Sequence, residues 1–303
     1  GQEREVVAKG MVSTSSANVS MPAINLGFTQ VNSNVRFHNA VFSVDADSAN
    51  LFGLPVNFVV EGGQKSTGYE LDGELIALWS KKQIADLYPL PVMKYANGKT
   101  NTSVKVKVNI NEDEYQYFVD SKTDLTHVEY DITYPIRSKV GEYSSLGWTL
   151  LGDQDSNSLF ANLDDLVYFE GTIPNGAGRI TQAQLRIGDD NVTLPAQGFD
   201  ISVNAKDMEF EPTLSFVLDV IDSLPESDST EPGILEVPSA VRGTIEKLNI
   251  LGQQWHNVSL DAKPDGEHWL FSVGAKETLT EVKVFEDIKT AGIEINSEFL
   301  QIH

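Results

Sequence analysis

The residues of this chain best suited to metal ligation or proton transfer are its five histidines: His38, His127, His256, His268 and His303. No two of them stand four apart and no His-Glu-x-x-His run exists, so a zinc centre would have to gather ligands from distant strands. There is no Gly-x-Ser-x-Gly elbow to present a serine nucleophile and no Gly-x-x-x-x-Gly-Lys loop to cradle phosphate. The absence of cysteine excludes disulfides, thiolate metal sites and Cys nucleophiles. Asp153-x-Asp155-x-Asn157 resembles the opening of a calcium loop, where oxygens at alternate positions wrap a hard cation. Ser158 and Asp164 stand where such a loop needs its glycine and its bidentate glutamate, so the segment reads as a solvated loop. Asn18-Val-Ser20, Asn101-Thr-Ser103, Asn191-Val-Thr193 and Asn257-Val-Ser259 match the glycosylation tripeptide, a pattern common by chance. The sequence therefore assigns no catalytic residue, cofactor or metal, and the expectation is a protein that is not an enzyme.

Composition narrows the partners. The chain has 303 residues, 41% of them hydrophobic, which is enough for a core. Its 22 Lys and Arg against 44 Asp and Glu give a net charge of −22. That charge repels nucleic-acid phosphates and disfavours an anionic membrane surface. No run of about 18 apolar residues exists to span a bilayer as a helix. The chain opens on Gly1 and the charged Gln2-Glu3-Arg4-Glu5 without a signal peptide, which reads as the interior of a longer protein.

The elements that must position any site are strands. Val104-Lys105-Val106-Lys107-Val108-Asn109-Ile110 alternates apolar and polar without a fault. Successive strand side chains point to opposite faces, so this segment has one oily face and one wet face. The pattern recurs at Val35/Phe37, Tyr115/Tyr117/Val119, Ile201/Val203/Ala205, Val258/Leu260/Ala262, Val282/Val284 and Ile293/Ile295. The fold class is all-β: an extended, curled antiparallel sheet with two short helices near 81–87 and 211–223. For the first helix, Ser80 and Gln83 have the capping-box spacing, and Pro89 and Pro91 end it. For the second, Pro212 suits the first turn, and Leu214, Val217, Leu218 and Ile221 form one stripe. Glu61-Gly62-Gly63-Gln64 reads as a turn, residues 92–150 as strands, and 151–165 as a polar loop. Residues 224–238 read as a mobile, acidic, Pro-containing linker. The organisation expected is a curled β segment over 1–223, that linker, and a further β module over 239–303.

Longer stretches resemble a family. Leu51-Phe52-Gly53-Leu54-Pro55, followed by a strand and Leu71-Asp72-Gly73-Glu74-Leu75, resembles the AsmA-like envelope proteins of Gram-negative bacteria of the YhdP type, relatives of the TamB superfamily. So do Ser121-Lys122-Thr123-Asp124-Leu125 leading to Tyr134-Pro135-Ile136-Arg137-Ser138-Lys139, and Leu194-Pro195-Ala196-Gln197-Gly198-Phe199-Asp200-Ile201 before a helix. Val241-Arg242-Gly243-Thr244 with Trp255-His256-Asn257-Val258 and Gly266-Glu267-His268-Trp269 is similar to the closing module. Leu54 departs from the family, which often has a second glycine there.

The resemblance implies part of a long periplasmic protein held in the inner membrane by a helix outside this sequence. It implies a β-groove conducting phospholipid towards the outer membrane, with acyl chains as the partner and no catalytic residues. Val104, Val106, Val108, Ile110, Val258 and Leu260 are the residues expected to line that groove. Periodicity alone leaves two arrangements open: a closed core, or a sheet that curls without closing. The alternative function is a secreted β-sandwich module that binds glycan or protein, which calls for exposed Trp and Tyr platforms. Trp79, Trp148, Trp255 and Trp269 are dispersed and do not decide it.

Overall fold

The computed structural model describes residues 7–21, 26–65, 68–87, 91–111, 114–133, 136–188, 194–223, 235, 237–250, 252–285 and 292–301. All but a few residues of the acidic segment 224–238 lie outside these, and the expectation of mobility there falls with them. Among the described residues the fold is all-β, 73% strand, with two α-helices. Strands β1 (Lys9–Met21), β2 (Leu26–His38), β3 (Val41–Leu51), β4 (Leu54–Lys65) and β5 (Gly68–Ser80) precede helix α1 (Lys81–Leu87). A 3-10 turn at Pro91–Tyr95 leads into β6 (Ala96–Ile110), β7 (Tyr115–Asp124), β8 (Val128–Thr133) and β9 (Ile136–Ser138). Then come β10 (Ser145–Asp153), β11 (Ser156–Leu163), β12 (Val167–Pro174), β13 (Gln182–Ile187) and β14 (Gly198–Glu209). Helix α2 (Phe210–Ser223) is followed by β15 (Ala240–Ile250), β16 (Gln253–Asp265), β17 (His268–Gly274), β18 (Thr278–Phe285) and β19 (Ile293–Leu300).

The contacts divide the chain into two compact units. The first comprises Gly1–Pro89, Asn97–Val128 and Val140–Asn157. In it β1 to β7 pair in sequence, each antiparallel to the next, and β10 pairs antiparallel with β7. Tight hairpins are the local rule: Phe52 and Gly53 both take positive φ (51° and 81°), the geometry that matches strand twist in a two-residue turn. The capping box forms as read, with Ser80 N–H donating to Gln83 Oε1 at 2.9 Å and Gln83 N–H to Ser80 Oγ at 3.3 Å.

Three bulges lie side by side, between Thr14 and Ala17, between Thr29 and Asn32, and between Ala46 and Ala49. Ser16 and Gln30 take positive φ there (52° and 54°). The Asn32 side chain ties the three strands together. It accepts from Ser16 N–H at 3.0 Å and donates to Ser48 Oγ at 2.9 Å. A line of bulges bends all three strands at one level.

The second unit comprises Leu90–Ala96, Glu129–Lys139 and Ser158–His303. Here β12 and β13 are antiparallel, β13–β14 and β14–β15 are parallel, and β15 to β19 form an antiparallel meander. The parallel β14–β15 pair follows from α2, which carries the chain back along the strands.

Three local expectations change. Gly62 and Gly63 lie inside β4 and not in a turn, because β4 stays paired with β3 and β5 through both glycines. The 151–165 segment is not a loop but the end of β10, a tight turn and β11. Asp153 Oδ1 accepts from the N–H groups of Asp155 (2.8 Å) and Ser156 (3.0 Å), closing the turn between β10 and β11. The 3-10 turn at Pro91–Tyr95 replaces the start of the strands read from residue 92. It also redirects α2. Phe216 meets Tyr95 edge-on at 5.2 Å and Asp219 pairs with Lys94 at 2.6 Å, while Leu214 and Val217 of the expected stripe stay 45% and 44% exposed. The Leu218 and Ile221 side chains are outside the description.

Candidate functional site

Strand register in the first unit aligns the apolar positions into rows that cross every strand. Val12, Val35, Val44, Val60, Gly73, Val106, Val119 and Leu150 are successive cross-strand partners from β1 to β10. On one side of this row runs Gly10, Phe37, Phe42, Gly62, Leu71, Val108, Tyr117 and Gly152. On the other side runs Thr14, Ser33, Ala46, Phe58, Leu75, Val104, Ser121 and Trp148. No charged residue occurs in any of the three. The opposite face carries the charges: Asn34, Asp45, Val59, Glu74, Lys105, Asp120 and Thr149 run in one line across it, with Met11, Ile76 and Leu78 exposed among the polar residues of that face.

Coverage of the apolar face varies along the strands. At one end Val31, Ala46, Ala49, Val56 and Ala77 are 1–3% exposed, covered by Phe28, Phe58, Leu75 and Trp79. Trp79 is anchored there, its Nε1–H donating to the Pro55 carbonyl at 2.8 Å. Past this cluster Val35, Val44, Val60, Val106 and Val119 are only half-buried, and Val12 is 53% exposed. A sheet normally buries its apolar face under a second layer. The one described helix of this unit, α1, contacts β5 and has no buried residue.

The four lining residues expected on β6 share one face. Val104, Val106 and Val108 are half-buried and Ile110 is 48% exposed. The other two lie in the second unit. Val258 is 3% exposed inside a closed cluster with Ala205, Met208, Ile245 and Leu248; Leu260 is half-buried. That unit has its own row from β12 to β19: Phe169, Leu185, Ile201, Val241, Ala262, Phe271, Val282 and Ile295. Ala262 is fully covered and Ile295, on β19, is 68% exposed.

The sequence reading missed how the aromatics sit. The Phe37 ring occupies the space a side chain on Gly10 would fill, and Tyr117 does the same at Gly152. At Gly62 a Cβ would meet the Phe42 ring at 2.7 Å and the Tyr69 hydroxyl at 3.2 Å. The Tyr117 hydroxyl bonds the Asn157 side-chain oxygen, and the Tyr115 ring stacks on that of Tyr117 at 6.5 Å. The usable signal was glycine within an alternating strand, which marks close approach.

The polar candidates serve the fold. Backbone N–H donors at the β10 turn hold Asp153 below the usual carboxylate range. Glu277, 8% exposed at its side chain, accepts the His256 N–H at 2.8 Å and faces His256 Nδ1 at 2.7 Å. Those bonds, the backbone one foremost, lower its pKa. Among the described residues no group of three or more His, Asp or Glu could hold a metal ion. No described helix is long and apolar enough to cross a membrane. All four tryptophans are at least half-buried.

No curated protein and no solved structure matches this chain. The profile of the YhdP protein family matches residues 1–303, the whole sequence. On that match, the chain belongs to the YhdP protein family.

Proposed function

We propose that this chain is a periplasmic segment of a bridge-like envelope protein that conducts phospholipid between the inner and outer membranes, and that it does so without catalysis. The observation that carries the reading is the charge-free apolar face of the first unit, half-covered over eight consecutively paired strands. Membership of a family of envelope proteins supports it.

The energetics favour such a surface. Each methylene taken from water is worth about 0.8 kcal/mol, so a bare 16-carbon chain in water costs on the order of 12 kcal/mol. A continuous apolar face removes most of that barrier. Repeated valines offer nearly equal wells from strand to strand, so a chain can slide with little change in energy. Charges inside would create traps, and the three rows have none. The half-buried tryptophans weigh against the glycan-platform alternative, which needs them exposed.

Val106 lies in the central row, between Gly73 and Val119. Val106→Asp places a charge among the valines at a site with some access to water. Lipid passage in the parent protein should stop, while circular dichroism shows an unchanged β-spectrum. Native mass spectrometry of the purified wild-type protein should reveal co-purifying phospholipid. Full transport by a folded Val106→Asp protein would sink the proposal.

A further inference from the structure

We infer that this face, read as a phospholipid site on the proposal above, is polar along its strands, so that each lipid lies across it in one orientation. The head group sits at the hairpin end marked by Tyr69, Tyr115 and Tyr117, and the acyl chains point towards Trp79.

Three observations carry this. The first is a gradient along the strands. At the Trp79 end the face is closed by its own side chains. Next come a row that is mixed, with Thr14, Ser33 and Ser121 among its apolar members, and the valine row, which has no polar side chain; then comes the row in which Phe37, Phe42 and Tyr117 lie over glycines. Beyond it Tyr69, Ile110 and Tyr115 form a line bearing two phenols. The polar turn Asn39–Ala40 and residues Asn111 and Glu114 follow. Apolar, aromatic, phenolic and polar layers in that order are the layers a phospholipid presents from tail to head, and tyrosine favours the boundary.

The second is length. From Leu71 in the aromatic row to Leu75 beside the closed cluster is four residues of β5. At ~3.3 Å per residue that is ~13 Å. Half of a ~30 Å hydrocarbon core is ~15 Å, the depth of one leaflet. A lipid standing across the sheet thus fits as it fits in a membrane, and it can pass from strand to strand without turning over.

The third is the shape of the aromatic row. With no Cβ at Gly10, Gly62 and Gly152, the rings of Phe37, Phe42 and Tyr117 can lie down against the sheet. None of these three glycines has positive φ, so the backbone does not require glycine at any of them. Their use is the low profile of the rings, a flat sill over which the glycerol region passes.

The test uses the intact protein and two phosphatidylcholine probes, one with a diazirine at the end of an acyl chain and one with it on the head group. After photolysis, mass spectrometry maps the adducts. The tail probe should label Phe58, Leu75 and Trp79, and the head-group probe Tyr69, Tyr115 and the flanking turns. Reversed maps, or both probes spread evenly along the strands, overturn the orientation. Absence of any adduct on this face overturns the lipid reading itself. Gly62→Ala, which must lift the far end of the Phe42 ring, should cut tail-probe labelling several-fold, and Gly62→Ala with Phe42→Ala should restore it. Unchanged labelling in a folded Gly62→Ala protein overturns the role of the sill.

Discussion

Two regions on the same face of the same strands behave differently. Around Val31 the first unit is as dry as the centre of a globular domain; around Val106, a few residues along, it stays half-open. Both obey the same alternation, so periodicity does not separate them. Side-chain size does. The dry region sets alanines (Ala46, Ala49, Ala77) beside Phe28, Phe58 and Trp79, so large groups reach over small ones. The bulges at Ser16 and Gln30 bend the strands at the same level. The open region repeats valine at Val12, Val35, Val44, Val60, Val106 and Val119, and side chains of one height cannot cover one another. Unequal neighbours make a core; equal neighbours leave a row half-open.

The largest expected effect puts the same charge in both regions. Val31→Asp, at 1% exposure, strands a carboxylate without a partner and should cost about 4 kcal/mol or more, enough to unfold the first unit. Val106→Asp should cost about 1–2 kcal/mol. Urea melts of the two variants compare them directly, and equal losses would break the distinction. Next in size, Phe58→Ala should cost about 3 kcal/mol because Phe58 covers the cluster, while Val60→Ala, two residues on, should cost about 1 kcal/mol. A reversed order would mean that the open rows, not the cluster, hold the unit together.

A smaller effect has the opposite sign. Phe52 is 59% exposed and sits at φ 51° in its turn, a conformation asparagine adopts more readily. Phe52→Asn should stabilise the first unit by about 0.5–1 kcal/mol in the same melts. A loss would show that the ring contributes more than its backbone strain costs.

The smallest effect extends the comparison to the second unit, where Glu277 ties the β17–β18 turn to β16 beside a closed cluster. Its pKa is depressed in the folded state, first by the His256 N–H bond and then by the His256 ring. The stability it contributes is present above the ordinary glutamate pKa and is lost as pH falls through the lowered folded value. Glu277→Gln should lower the melting temperature slightly at neutral pH and remove that part of the acid dependence. Parallel acid profiles for the two proteins would show that the carboxylate charge contributes nothing.

Much of the fold was legible. The seven-residue alternation of β6 and the Ser80/Gln83 box around α1 rest on local geometry that sequence records directly. Gly62-Gly63 was misread because two glycines together usually mark a turn; their reason lies on β3, in Phe42 and Val41. Residues 151–165 looked like a loop because the polar run Asp153–Ser158 spans the end of β10, the turn and the start of β11. The parallel pairing of β13, β14 and β15 left no local mark, since period two is the same in either direction. For the site, the sequence put Val104, Val106, Val108 and Ile110 on one face of β6 but did not say which rows close. Closure depends on the relative bulk of cross-strand neighbours, which register alone reveals.

The parallel pair also bears on how the chain reaches its native state. From β1 to β7 each strand pairs with its predecessor, across a short connection everywhere except between β5 and β6, where α1 and the 3-10 turn intervene, so pairing can advance as the chain lengthens and little entropy is lost at most steps. Between β14 and β15 that advance stops: Asn204 and Thr244 must meet across forty residues. In the second unit this pairing is the long-range closure on which β16 to β19 then build. A refolding chain should therefore protect the β1–β7 amides early and those of β15 late. An emerging chain would leave the edge of β14 that β15 fills, at Ile201, Val203 and Ala205, unpaired until some forty further residues had been made, and that interval is when it most needs a chaperone.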